Sequence, residues 1–160
     1  MAVDMFMKLG DVKGESKDKE FKDCIDVLAW SWGMSQSGSM HLGGGGGAGK
    51  CNVNDLSFTK YVDSATPNLM QKCMTGKHYP EATLSVRKAG DKPLVYLTVT
   101  MTDVLVTSVS SGGSGGEDRL TENATLNFAK VKVEYTPQEK SGSGGGKIPV
   151  TYNIQENAEE

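Results

Sequence analysis

Residues 44–50, within SMHLGGGGGAGKCNV, read G-x-x-x-x-G-K, the opening of the loop that cradles nucleotide phosphates. That chemistry also needs a Ser or Thr hydroxyl after the lysine for magnesium, a buried strand before the glycines, and a helix after them whose N–H groups point at the phosphates. Cys51 stands where the hydroxyl is needed, and the preceding WGMSQSGSMH is polar and small. The following CNVNDLSFTKYV alternates with strand period, Leu56 and Phe58 on one side and Asp55, Ser57 and Thr59 on the other. A five-glycine run meets a glycine-rich pattern by composition alone, so the segment reads as a loop between two strands.

The other reactive residue types form no constellation. His41 and His78 are the two histidines, and His41 adjoins the glycine tract, whose mobile backbone would hold a ligand or base poorly. Glu117 and Asp118 in GGEDRL are adjacent; on a strand they point to opposite faces and cannot act as a facing carboxylate pair. With Arg119 they make a charged patch suited to a subunit contact. Cys24, Cys51 and Cys73 are odd in number, far apart and without C-x-x-C spacing, which supports neither a disulfide framework nor a zinc site and places synthesis in a reducing compartment. We expect no catalytic residue, no metal and no cofactor, and read the chain as a non-enzyme.

The elements around these residues are mostly strands. Val3, Met5, Met7 and Leu9 alternate with Asp4, Phe6 and Lys8, giving a first strand that ends at Gly10. A second strand is expected over 24–34, with Leu28, Trp30 and Trp32 on a large core face and Val27, Ala29, Ser31 and Gly33 on a small one. Further strands fit 56–62, 82–88, 94–101, 105–109, 122–135 and 148–154. In 122–135 the apolar parity slips from Leu126 and Phe128 to Val131, Val133 and Tyr135, which predicts a β-bulge near Ala129–Lys130. One helix is expected between Thr66 as N-cap, Pro67 as first helical residue, and Gly76 as stop, with Leu69, Met70, Cys73 and Met74 forming its apolar stripe. Cys73 on that stripe reads as core packing rather than a nucleophile. The fold class is mainly β: a small barrel formed by two sheets, with one short flanking α-helix, in a single domain over 1–160.

Composition narrows the function. Twenty of the 160 residues are glycine, gathered chiefly at 43–49, 112–116 and 142–146, so the remaining chain is richer in apolar residues than its 37% average. A net charge of −3 and no Lys/Arg stripe give no footprint for nucleic acid. Residues 94–109 are punctuated by threonines and Asp103, which argues against membrane insertion, and MAVDMFMKLGD lacks the pattern of a cleaved signal.

The stretches MAVDMFMKLGDVKGESKD, IDVLAWSWGMSQSGSMHLGGGGGAGK, DLSFTKYVDSATPNLMQKCMTGKHYPEATLSVRKAG and GGSGGEDRLTENATLNFAKVKVEY resemble the hemolysin-coregulated proteins, Hcp, of the bacterial type VI secretion system. Residues 137–160 match loosely. The resemblance implies a two-sheet barrel, homohexameric rings that stack head to tail into an inner tube, and partners in the spike protein, contractile sheath and baseplate. It also implies small effector proteins carried or chaperoned in the ring lumen. Localisation is then cytoplasmic before assembly and secreted afterwards, without a cleaved signal peptide. At WSWGMS it places Ser31 in the lumen as the effector-contacting position. Gly43, Gly44, Gly45, Gly46, Gly47 and Lys50 are expected to form an assembly loop, and Glu117, Asp118 and Arg119 to meet a neighbouring subunit. An enzyme fused to the scaffold would need a further domain after Glu160. The alternative, a free-standing β-sandwich binding module, needs an exposed aromatic platform, for which Trp30 and Trp32 are the candidates.

Overall fold

The computed structural model describes residues 2–38, 40, 49–139 and 144–160. Its elements are β1 (Val3–Leu9), β2 (Ile25–Ser31), β3 (Met34–Ser35), β4 (Asn52–Val53), β5 (Leu56–Tyr61), α1 (Thr66–Thr75), β6 (Tyr79–Lys88), β7 (Leu94–Gly112), β8 (Thr121–Tyr135), β9 (Ile148–Asn153) and β10 (Ala158–Glu159). All pairings are antiparallel. The order β2-β1-β6-β7-β8-β5 returns to β2, which closes a six-stranded barrel, and β9 and β10 extend it from β8. Strands β3 and β4 form a separate hairpin. The mainly β fold with one helix is as expected, but the two strands read over 94–101 and 105–109 are one, β7.

Closure depends on places where a strand changes the face it presents. In β8, Phe128 and Val131 are both buried, so parity does change at Ala129–Lys130. The pairing register with β7 nevertheless stays constant there, because β7 changes parity opposite it, between Met101 and Val104. Asp103 at the change point has φ 56°, a conformation that Asp tolerates through its short polar side chain. Both strands therefore change their buried face together at this point. The bulges with a register shift lie elsewhere, between Val106 and Ser108 in β7, between Val27 and Ala29 in β2, and where the β6–β7 register shifts between Val86 and Arg87.

The β2 bulge corrects the expected face assignment. Val27 is buried, while Leu28 is 40% exposed and stands outside the core. Beyond the bulge, Trp30 and Trp32 pack against the core as expected, and Ala29 and Ser31 are exposed. The strand ends at Ser31, and Met34 belongs to the hairpin.

Helix α1 covers the barrel beside β7. Ala65, not Thr66, is the N-cap, and it makes no side-chain cap. Thr66 is the first helical residue because its hydroxyl serves a buried cluster instead. The Lys60 ammonium donates to Asp63 Oδ1 (2.9 Å), Tyr61 O (2.9 Å), Thr66 Oγ1 (3.1 Å) and Glu122 Oε1. Thr66 Oγ1 donates to Glu122 Oε1 at 2.6 Å, and Ser111 Oγ to Glu122 Oε2 at 2.7 Å. Lys60 and Glu122 are wholly buried, and the cluster ties the start of α1 to β5, β7 and β8. Gly76 ends the helix at φ 71°, as expected, and Cys73 packs partly buried against the core.

The charged loop DVKGESKDKE is held down, too. Arg87 on β6 donates to both Asp18 oxygens (3.0 and 2.5 Å) and to Asp4 (3.1 Å). Its guanidinium also lies over the stacked rings of Phe6 and Phe21. Gly14 lets the loop turn against the next strand, since a Cβ there would meet Cys24 O at 2.5 Å.

Candidate assembly and lumen surface

Where β2, β5, β8 and the second half of β7 run side by side, the outward residues form one polar, mostly uncharged face. Ser31, Ser57, Thr125 and Ser108 lie in one cross-strand row, and Ala29, Thr59, Asn123 and Ser110 in the next. The side chains brace one another. Thr59 Oγ1 donates to Asn123 Oδ1 at 2.5 Å, while Ser108 and Thr107 each lie within 2.7 Å of Thr125 Oγ1. Asp55 accepts from Thr107 and Asn127 at the rim. The charges of these strands that lack water, Lys60 and Glu122, are on the opposite face. Burial pushes the Glu122 carboxyl up, but hydrogen bonds from Lys60, Thr66 and Ser111 outweigh it and hold it below its ordinary range.

Both outer edges of this four-strand sheet are open among the described residues. Pairing of β1 to β2 stops at Asp26, and pairing of β6 to β7 stops at Val104, so residues 28–31 and 105–112 have a sheet neighbour on one side only.

The two ends of the sheet differ. One carries the turn 113–120, in which Glu117, Asp118 and Arg119 are exposed and Leu120 is 50% exposed. Arg119 lies over the Tyr61 ring at 3.7 Å. The other end carries the β3–β4 hairpin, with exposed Lys50 beside Cys51. Between hairpin and barrel is an apolar groove of about 510 Å³ bounded by Trp32, Met34, Cys51, Val53, Val133 and Tyr152.

Of the residues singled out by sequence, Ser31 is exposed on the polar face, and Lys50 and the 117–119 patch lie at opposite ends of the sheet. His41 and Gly43, Gly44, Gly45, Gly46 and Gly47 fall outside the described residues. His78 pairs with Asp103 at 2.7 Å on an exposed surface. No group of three or more His, Cys, Asp or Glu is arranged to hold a metal ion among the described residues. No helix among them is long and apolar enough to cross a membrane. The Lys60–Glu122 cluster, the Arg87 clamp and the groove were missed by sequence reasoning. The first had a signal: Lys60 shares its parity with Leu56 and Phe58, and Glu122 shares its with Ala124 and Leu126.

The family model described as type VI secretion system effector, Hcp, matches residues 6–135. The chain belongs to the Hcp family. It is 66% identical to protein hcp1 of Pseudomonas aeruginosa over 161 aligned positions, which cover 99% of each chain. The crystal structure of Hcp1 from Salmonella typhimurium superposes with TM-score 0.84 at 42% identity, over the whole of both chains. A structure described as a type six secretion system protein gives TM-score 0.93 at 34% identity, over 99% of this chain and 100% of that one. Hcp proteins are structural, so this chain is a tube subunit of the type VI secretion system and not an enzyme. It is a secreted protein of that system.

Proposed function

We propose that six copies close into a ring by pairing the β2 edge of one subunit with the β7 edge of the next, and that rings stack head to tail into a tube. The polar face bearing Ser31 lines the lumen, where it holds small effector proteins, and the tube is expelled with the spike. The observation that carries this reading is the four-strand sheet with two open edges. Successive antiparallel pairings make β2 and β7 run in opposite directions, so edge-to-edge contact continues the sheet in the same antiparallel sense. Because the two edges are different surfaces, the contact is heterologous and closes into a ring when the rotation per subunit divides a full turn.

Ser31 supports the cargo role. Its hydroxyl is exposed, can donate and accept, and is surrounded by short side chains that let another protein's surface approach. Light scattering and negative-stain images test the ring, with a mass near six subunits expected; a monomer at tens of micromolar overturns it. Ser31→Gln tests the lumen. Rings should stay intact while effector co-purification falls, and unchanged co-purification with intact rings removes Ser31 from the cargo surface.

A further inference from the structure

The groove behind the β3–β4 hairpin has a matching feature at the far end of the same sheet. We infer that it receives the 113–120 turn of a second copy, with Leu120 entering between Trp32, Met34, Val53 and Val133 while Lys50 meets Glu117 and Asp118. This inference rests on the head-to-tail reading above and names the contact that joins successive copies.

A turn cannot reach the groove of its own chain. Thr121 begins β8 beside the turn, and Val133 lines the groove roughly a dozen residues further along the same strand. At about 3.3 Å per residue that is a contour of about 40 Å. A 113–120 turn seated in the groove therefore comes from another molecule, and two features fit the turn of a second copy. The first is charge complementarity. Lys50, next in sequence to Cys51 of the groove wall, and Glu117 and Asp118, on the turn, are exposed, and none of the three has an ion-pair partner among the described residues. The second is shape and polarity. The groove walls are apolar, with Met34 54% and Val150 58% exposed, and the turn offers one apolar side chain, Leu120, on a slender backbone. Leu120 lies directly over Gly113, where a Cβ would sit 2.1 Å from Leu120 Cδ2, so the turn is narrow at its apolar point. About 510 Å³ is ample for one leucine and adjoining backbone. The ion pairs would set direction and register more than affinity, because exposed pairs contribute little by themselves.

Since groove and turn occupy opposite ends of one sheet, each copy donates its turn in one direction and receives in the other. Such a contact propagates rather than pairing off.

Native Cys51 in the groove wall supplies the test. Leu120→Cys, treated with diamide as two-electron oxidant, should form a disulfide between Cys51 of one copy and the thiol introduced at position 120 of the next. The product is a ladder of covalent multimers on a non-reducing gel. Ladders extending past six copies are expected. Adding Cys51→Ser should abolish the ladder, whereas Cys24, just before β2, and Cys73, on α1, do not line the groove and should not contribute. As a second probe, Val150→Arg on the exposed groove wall should leave ring mass unchanged and remove ring-on-ring association. Intact rings without Cys51-dependent cross-links, or unimpaired association of Val150→Arg rings, overturn the contact. A wild-type protein that forms no rings overturns the ring reading instead, a different result on a different measurement.

Discussion

Replacing Glu122 by Leu leaves the Lys60 ammonium wholly buried with Asp63 as its one neighbouring carboxylate. Breaking one side of a buried pair costs about 3–5 kcal/mol, because the surviving charge stays desolvated, whereas exchanging both partners for apolar side chains of similar volume is often close to neutral. In a chain of this length each kcal/mol moves the melting midpoint by about 2–4 °C. Glu122→Leu should therefore lower Tm by about 6–20 °C. Combined with Lys60→Met, more than half of that loss should return, the remainder reflecting the partners that Thr66, Ser111 and Asp63 lose. Circular dichroism melts and urea titrations at one fixed protein concentration measure this, since assembly stabilises the chain by mass action. A single variant that loses less than about 1 kcal/mol, or a double variant as unstable as the sum of the two singles, would refute the cluster as a coupled buried unit.

The same cluster sets an acid limit. Glu122 titrates below its ordinary 4.5 in the folded chain, so the unfolded chain binds more protons across that interval. Its contribution is complete above about pH 4.5 and is lost as pH falls through the folded value. Glu122→Gln should be less stable than wild type at neutral pH and lose less on acidification, as urea titrations across the acid range would read. Arg87 beside Asp18 holds that carboxyl at about 2, against an ordinary 3.8. In Arg87→Met, carboxyl NMR titration should find Asp18 moved back toward 3.8; an unmoved value would assign the shift to the N–H groups of Glu20 and Phe21, which also donate to it. Gly14→Ala forces a Cβ against Cys24 O, and by analogy with overpacking should cost about 1–3 kcal/mol in urea unfolding. Wild-type stability in that variant would mean that the loop shifts freely.

What the sequence disclosed follows from how each feature is encoded. The helix stop at Gly76 was legible because a left-handed residue strongly favours glycine. The parity change in β8 was legible because two apolar residues precede it and three follow. The β2 bulge was not, because Leu28 fits the alternation with Trp30 and Trp32 and no residue type marks the extra position. Thr66 illustrates a different failure. A threonine before a proline is a sound N-cap signal, and it was overridden by buried partners, Lys60 and Glu122, on two strands, together with the Asp63 N–H. Likewise, β7 read as two strands because Asp103 interrupts the apolar pattern, though its pairing with β8 resumes on either side. Candidate sites were legible only as surface residues. Nothing in local pattern reveals that Ser31 lies in a row with Ser57, Thr125 and Ser108.

The treatment of sheet edges separates surfaces built for water from surfaces built for another chain. An open edge invites pairing, and proteins blunt those that must stay free. The β9 edge is blunted: Pro149 lacks an N–H to offer, and β10 covers Tyr152 and Asn153. Residues 105–112 of β7, by contrast, read LVTSVSSG, and residues 28–31 of β2 read LAWS, with neither a charge nor a proline in either run. One chain that guards one edge and leaves two others unguarded, at the two sides of one sheet, has the arrangement that the proposed ring requires. Placing a lysine at the exposed Ser110 would protect the β7 edge in the manner that free edges use, and ring formation, rather than folding of the subunit, should be most sensitive to that single added charge.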